Sequence, residues 1–341
     1  MNGSFSDRIA LAEPIDRLVA LAGEACNHIS PAMVHGAYAS GQRAGQWALN
    51  EIETEDLIAI IGAGAAGIAC AKYLRESGHS NVIILEAKDH IGGRAHSVFM
   101  EAMPLNNTNK EGSPYRINVG ANWMQQFSIN PLVAVAEGMR LTMVPSDLNN
   151  PHGATQSGTV DAAKICDSLD EIVTELNAAT ESNGCDVSVL QVISQSDHFK
   201  QLSAEDHHYC HLALADVLAD SGCNLRDLSA SNGLSEPGVG DNDHYIREGY
   251  AELFERLSID LDVRFHSIVQ TINWESPQFV EITLASGQVT KCKKCVCTVP
   301  ISLLQDGSVQ FRPPLPVKHR DALSRLELGV CNKVVLKYKS R

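Results

Sequence analysis

The sequence predicts an α/β fold organised around a parallel sheet. Two observations carry that expectation. The apolar strand "LIAIIG" runs into a glycine-spaced turn and a helix through "GIACAKYLRES", and a second apolar strand, "NVIILEA", closes the unit at Glu86. Strand, helix and strand within about thirty residues form a βαβ unit, which joins parallel neighbours. Further along, "VRFHSIVQTINWE", "FVEITLAS" and "KCVCTVP" read as additional short strands, with "SG" as a turn before Gln288.

The other elements follow from hydrophobic periodicity and turn residues. Residues 17–49, "RLVALAGEACNHISPAMVHGAYASGQRAGQWAL", read as a strand, a loop and a helix from about residue 32 to 49 whose small residues suit close packing. Residues 100–155 are loop-rich around the strand-like "RINVGANW". Between residues 159 and 179, Ile165, Leu169, Ile172, Val173 and Leu176 recur at helical spacing among acidic residues. A further helix is predicted over 204–220, a turn-rich connector over "SASNGLSEPGVGDND", and a helix in "GYAELFERLSI". The final strand-like stretch is "NKVVLKY", and a compact domain rarely stops there, so the C-terminus reads as truncated.

Composition excludes several classes. At 341 residues with 44% hydrophobic side chains, the chain has room for two domains and a substantial core. A net charge of −14 and the lack of a basic patch argue against a nucleic-acid partner. The N-terminus lacks the pattern of a signal peptide and no apolar run is long enough to span a bilayer, so the expectation is an intracellular, cytoplasmic protein without membrane contact. Ten cysteines in that setting point to free thiols. "CKKCVC" lacks a second Cys or His pair at zinc spacing, and "DHHYCH" lacks the glutamate of a metalloprotease helix, so no metal is expected. The "NNT" sequon at Asn106 has no meaning without secretion.

The glycine turn carries chemistry because of its context. Gly62 permits the tight turn after the strand, Gly64 lets a diphosphate approach the backbone, and Gly67 allows close helix–strand packing. The N–H groups and dipole of the helix then favour the diphosphate. Glu86, at the end of the next strand, stands where it accepts hydrogen bonds from ribose hydroxyls, and its charge disfavours a 2′-phosphate, hence NADP. A structural βαβ turn without ligand is the competing explanation.

After it comes "HIGGRAHS", and there the chain resembles the flavin-containing amine oxidase family. "GAGAAGIACAKYLRESG", "VIILEAKDHIGGRAHS", "NVGANWMQ", "REGYAELFERL", "CTVPISLLQDGSVQFRPPLP" and "LELGVCNKVVLKY" follow the family's motifs in order from about residue 57 to 338. The resemblance implies FAD, bound by an FAD-binding Rossmann-like domain, beside a discontinuous α+β substrate domain. It assigns residues 1–130 and 241–300 to the first and 131–240 and 301–341 to the second, which is incomplete. It implies that Gly62, Gly64, Ala65, Ala66, Gly67, Glu86 and Ala87 hold the ADP half. Gly93 and Arg94 would lie near the diphosphate, Gly120, Ala121, Asn122 and Trp123 near the flavin ring, and Ile268 and Val269 on the adenine side. Lys333 matches the family's catalytic lysine, reaching through a water toward flavin N5.

The same resemblance explains the opening stretch. It is similar to the family's C-terminal FAD element, with Glu24 accepting from the ribityl hydroxyls, the helix near Met33 and Val34 aiming its N–H groups at the cofactor, and Gly36 and Gly41 allowing close packing. Here that element comes first. A circular permutation, the tail of an upstream tandem copy and a misassembled gene are the three explanations, although permutation alone would retain a family segment between the Lys333 strand and "GEA" that no stretch here resembles; both cofactor halves are expected in one domain. Activity is expected on a small amine with O2, most like polyamine oxidases, although Gln125 and Gln126 stand where those carry a carboxylate or histidine. An amine oxidase for amino acids, monoamines or methylated lysine, and a non-catalytic FAD-binding or interaction module, remain as alternatives. Oligomeric state is not legible.

Overall fold

The computed structural model describes residues 3–100, 115–146, 154–155, 158–183, 187–231 and 243–336. In chain order these form α1 (Phe5–Ala12), β1 (Val19–Leu21), a 3₁₀ turn (Glu24–Cys26), α2 (Val34–Ala48), β2 (Ile58–Ile61), α3 (Ala65–Glu76) and β3 (Val82–Leu85). Next come β4 (Ser97–Met100), β5 (Tyr115–Asn118), β6 (Trp123–Met124), α4 (Pro131–Gly138), β7 (Met143–Pro145), β8 (Ala154–Thr155) and β9 (Gly158–Thr159). Four helices follow: α5 (Ala162–Asn183), α6 (Val189–Gln195), α7 (Asp197–Gln201) and α8 (Ala204–Ser221). The chain continues through β10 (His244–Ile246), α9 (Tyr250–Leu257), β11 (Val263–Arg264), β12 (Val269–Asn273), β13 (Val280–Leu284), β14 (Val289–Cys292) and β15 (Lys294–Cys297). The last elements are α10 (Ile301–Gln305), β16 (Gln310–Arg312) and α11 (Val317–Arg325).

The chain divides into two compact units. The sheet unit comprises Phe5–Pro145, Asp243–Leu326 and Val335–Arg341, and the helical unit Met1–Ser4, Ser146–Asn242 and Glu327–Val334. α4 belongs with the sheet unit because Leu132 and Ala136 are buried with Tyr38, Ile68 and Phe254. α10 and α11 join it because Ile301, Ala322 and Leu323 pack in the core beneath the sheet.

The central sheet of the sheet unit is parallel, in the order β1–β15–β2–β3–β11. Its inner strands are apolar runs because both faces are covered, as parallel sheets require. Period-two alternation sends Ile58, Ile60, Val82, Ile84 and Val296 to one face, against Ala44, Ala48, Cys70 and Leu74 of α2 and α3. Ala59, Ile61, Ile83, Leu85, Cys295 and Cys297 point the other way, into a core with Leu11, Ile272, Ile282 and Leu323. That second layer contains the sheet β14–β13–β12–β16, whose β13–β14 hairpin turns at Gly287 with φ +84°. Cys292, Cys295 and Cys297 act there as small hydrophobic groups. Burial pushes the Cys292 and Cys297 thiols up to about 12.

The N-terminal stretch is therefore part of the central sheet. β1 pairs with β15 through Val19 and Cys295, Ala20 and Val296, and Leu21 and Cys297. α2 packs directly on α3: a Cβ at Gly41 would lie 2.0 Å from the Ala66 carbonyl oxygen, and one at Gly45 3.1 Å from that of Cys70. At its other end, the buried Lys294 ammonium donates to the carbonyls of Asn50 and Trp47 and lies 4.8 Å from the Trp47 ring centre. It neutralises the carbonyl end of α2, where a cation is favoured.

Two elements differ from the sequence reading. α1 precedes the first predicted strand and is tied to α11 by Asp7 with Arg325, Glu13 with Lys318, and a His319 ring nitrogen on the Glu13 carbonyl at 2.9 Å. The described residues 332–336 of the "NKVVLKY" stretch form no strand. Residues 327–336 have no regular structure, and Val330, Val334 and Leu336 are exposed, because their alternating pattern finds no neighbouring strand among the described residues. Asn106 and residues 232–242 of the predicted connector lie outside the described residues.

In the helical unit, Ile172 and Leu176 of α5 pack with Val189, Val192, Phe199, Ala213 and Leu214. Ser188, Ser196 and Ser203 each cap a helix by accepting a backbone N–H. No helix of the described residues is long and apolar enough to cross a membrane.

The helix contact predicts opposite outcomes at two glycines. Gly41→Ala should lower stability by about 1–3 kcal/mol through overpacking. Gly138→Ala meets nothing within 4 Å and should be neutral or raise stability by about 0.5–1 kcal/mol. Urea unfolding of the two variants measures both.

Candidate functional site

The site in the sheet unit begins at the β2–α3 turn. Gly62 has φ +100°, and its N–H donates to the Leu85 carbonyl at 2.8 Å. Gly67 lies so close to the turn that a Cβ there would sit 1.9 Å from the Gly62 carbonyl oxygen. Gly64 is different, since a Cβ there would meet nothing nearer than the Gly93 Cα at 4.0 Å. It is the open point of the turn, with room at its backbone for an approaching group. No side chain caps α3, whose first turn holds Ala65 and Ala66, so its leading N–H groups are left to an external acceptor.

Glu86 locks this turn to β3. Its carboxylate accepts the Ala63 N–H at 2.6 Å and the Lys88 N–H at 2.9 Å, and the residue is 8% exposed. A carboxylate has about four acceptor positions, so capacity remains for hydroxyl donors. Ala87 beside it is exposed. The 90–96 loop closes over the turn, with the Gly92 N–H on the Ala63 carbonyl at 2.8 Å and Gly93 at φ +57° against Gly64.

Arg94 meets Glu24. Both guanidinium NH groups lie 3.2 Å from Glu24 Oε1, while Glu24 Oε2 accepts the Ala32 N–H at 3.0 Å and faces Arg8 at 3.6 Å. Two expected cofactor residues seventy positions apart thus lie side by side, and Arg94 keeps an exposed face. The Arg94 carbonyl accepts the Ala121 N–H at 2.9 Å, and Gly120 presses against it so closely that a Cβ would clash. Asn122 Oδ1 accepts from Asn118 at 3.2 Å, and the Trp123 carbonyl accepts the Tyr250 hydroxyl at 2.9 Å. Val269 is buried in β12, and the Ile268 carbonyl is taken by the Ala285 N–H at 2.7 Å.

α2 brings a second helix start to the same sheet unit. It begins at Val34 with no side-chain cap. Because Gly41 lies on Ala66 and Gly45 on Cys70, the two helices run in the same direction, and α2 starts six residues ahead of α3. That lead is about 9 Å at 1.5 Å per residue.

Sequence reasoning missed how the residues after Trp123 are used. Gln126 has φ +52°, is 5% exposed and turns inward. Its Oε1 accepts from His35 Nε2 at 2.9 Å and Ser30 Oγ at 3.2 Å, so it is not presented to a substrate. A glutamine in a left-handed backbone position has no signal in a single sequence. Lys333 lies in the helical unit, in the irregular, exposed 327–336 segment, and desolvation nonetheless lowers its pKa from the usual lysine value.

The residues fit an extended dinucleotide: an open glycine, an acceptor with spare capacity and two uncapped helix starts. A family model described as flavin containing amine oxidoreductase matches residues 65–341. The chain is 28% identical over 300 residues to lysine-specific histone demethylase 2 of Homo sapiens, covering 83% of this chain and 35% of that protein. It is 25% identical over 301 residues to probable polyamine oxidase 4 of Arabidopsis thaliana, covering 82% of this chain and 58% of that protein. Polyamine oxidase 2 of the same plant is 23% identical over 301 residues, with 83% of this chain and 58% of that protein covered. The chain therefore spans between about a third and three-fifths of the length of the curated relatives it matches. The cofactor this family carries is FAD.

Burial lowers the pKa values of His35, His96 and His319. Unfolded imidazoles titrate near about 6.5. Below that pH the unfolded chain binds more protons than the folded one, so stability is full above it and declines as pH falls toward the lowered folded values. The urea midpoint should drop between pH about 7.5 and 5.5. His319→Gln, which keeps a donor for the Glu13 carbonyl, should flatten part of the slope, and a pH-independent midpoint in the parent would contradict this account.

Proposed function

The chain belongs to the family of flavin-containing amine oxidoreductases, and we propose that it is an FAD-dependent amine oxidase, most like the polyamine oxidases. The observation that carries this reading is the meeting, in one sheet unit, of the open Gly64 turn, the Glu86 carboxylate, the Arg94–Glu24 pair and two uncapped helix starts. In this reading the sheet unit carries the Rossmann-like FAD-binding domain, residues 1–130 and 241–300 together with α4, α10 and α11, and residues 146–240 contribute to the substrate domain.

The residues divide the work. The first turn of α3, with Gly62, Gly64, Ala65, Ala66 and Gly67, receives the diphosphate through backbone N–H groups. Glu86 accepts ribose hydroxyls beside Ala87, and Val269 borders the adenine. Gly93 and Arg94 flank the diphosphate, and Arg94 keeps Glu24 oriented toward the ribityl chain. Gly120, Ala121, Asn122 and Trp123 line the flavin ring, and the N–H groups that begin at Val34 face it from α2. Held there, FAD would supply a two-electron acceptor for oxidation of the amine carbon–nitrogen bond to an imine, the two electrons then passing with two protons to O2 to give hydrogen peroxide. Lys333 holds and passes a proton at Nζ, and its lowered pKa suits that task.

A second reading concerns the substrate. The histone demethylase likeness favours a methylated lysine side chain, and the lack of a charged group at Gln125 counts against a polyamine. Anaerobic addition of spermine or of a peptide with dimethylated lysine distinguishes the two, by which one bleaches the flavin absorbance.

The purified chain is expected to be yellow after gel filtration. Glu86→Ala should weaken FAD binding by about tenfold, the effect of about 1.4 kcal/mol from one hydrogen-bonding group. Lys333→Met should keep the flavin spectrum and slow turnover by about 100-fold. Folded protein that stays colourless with added FAD would sink the proposal.

A further inference from the structure

The inward-turned Gln126 belongs to a closed polar cluster with Ser30, His35 and Asn130, each no more than 6% exposed. His35 is the second residue of α2. On one side of its ring, Nε2 lies 2.9 Å from Gln126 Oε1; on the other, Nδ1 lies 3.3 Å from Asn130 Nδ2. An amide oxygen only accepts and an amide nitrogen only donates, so these neighbours select the neutral imidazole with its proton on Nε2. Ser30 Oγ donates to the same Gln126 oxygen, and the Ser30 backbone lies where any side chain at Gly36 would collide with it. Asn130 in turn donates to the Gln125 carbonyl at 2.8 Å and caps α4 by accepting the Leu132 N–H at 2.9 Å.

The cluster therefore clamps the first turn of α2 from two segments, the loop at Ser30 and residues 125–130. Its position is informative because Gln126 occupies a left-handed backbone conformation that glycine adopts freely and other residues resist. The side-chain amide holds it there. Three circumstances also keep His35 uncharged: its burial, the amide donor at Nδ1, and its place at the positive end of a helix. No charged side chain hydrogen-bonds the ring among the described residues.

We infer that Gln126, acting through His35, is a positioning residue that fixes the leading N–H groups of α2 against the flavin. The inference rests on the proposed FAD site. A clamped, uncharged helix start presents a fixed partial positive charge, which stabilises the electron-rich reduced cofactor more than the oxidised one.

The test uses the full chain loaded with FAD. Gln126→Gly removes the acceptor and relieves the backbone, so folding is preserved and thermal stability serves as the control. The midpoint potential of the bound flavin should fall by about 30 mV, a tenfold loss of preference for the reduced form of a two-electron couple. His35→Ala should give a similar fall, and the double variant no more than either alone, since both act through one hydrogen bond. Unchanged potentials in a parent that binds FAD overturn the inference and leave the proposed function standing. Additive falls in the double variant overturn it also. A parent that takes up no FAD refutes the proposed function, and this inference with it.

Discussion

The pairing of β1 with β15 is the constraint on which the remaining geometry depends. Residues 19–21 lie beside residues 295–297, and β15 is in turn the neighbour of β2. Remove that contact and α2 has no reason to lie on α3, because the helix connects β1 to β2 across the intervening strand. The glycines then decide how near the helices come. Gly41 over Ala66 permits backbone contact, so α2 starts about two turns ahead of α3 without side chains between them. Both uncapped helix starts, and the meeting of Glu24 with Arg94, follow from that single arrangement of strands.

Much of this was legible because it is local. Gly62, Gly64 and Gly67 are three positions within one turn, and their roles depend on backbone conformation that spacing alone encodes. The apolar runs at β2, β3 and β15 announce strands covered on both faces. The small residues of α2 announced close packing, and the packing is against α3. Glu24 and Arg94 were each singled out for the cofactor; that they would pair was not visible, since the contact needs the folded sheet.

What was not legible depends on distant partners. α1 is short and polar in its first turn, and its Asp7 is satisfied by Arg325, more than three hundred residues away. The stretch around Lys333 has the alternation of a strand, yet alternation describes a side-chain pattern and a strand also requires a neighbour. Gln126 read as a substrate-facing residue because it stands where the polyamine oxidases this chain resembles carry a carboxylate or histidine. Its backbone at φ +52° redirects it into the interior, where His35 and Ser30 satisfy it.

The β1–β15 pairing also carries a consequence for biosynthesis. The partner strand of Val19–Leu21 is about 276 residues downstream, and a ribosome adding roughly 5–20 residues per second needs about 14–55 s to reach it. Throughout that interval β1 lacks the strand it pairs with, although α2 already has α3 to pack against. The sheet closes only late in synthesis, and contacts of such sequence separation form slowly. The nascent chain thus carries an unpaired strand until its last third is made, so the sheet edge at β1 is the last part of the central sheet to be closed.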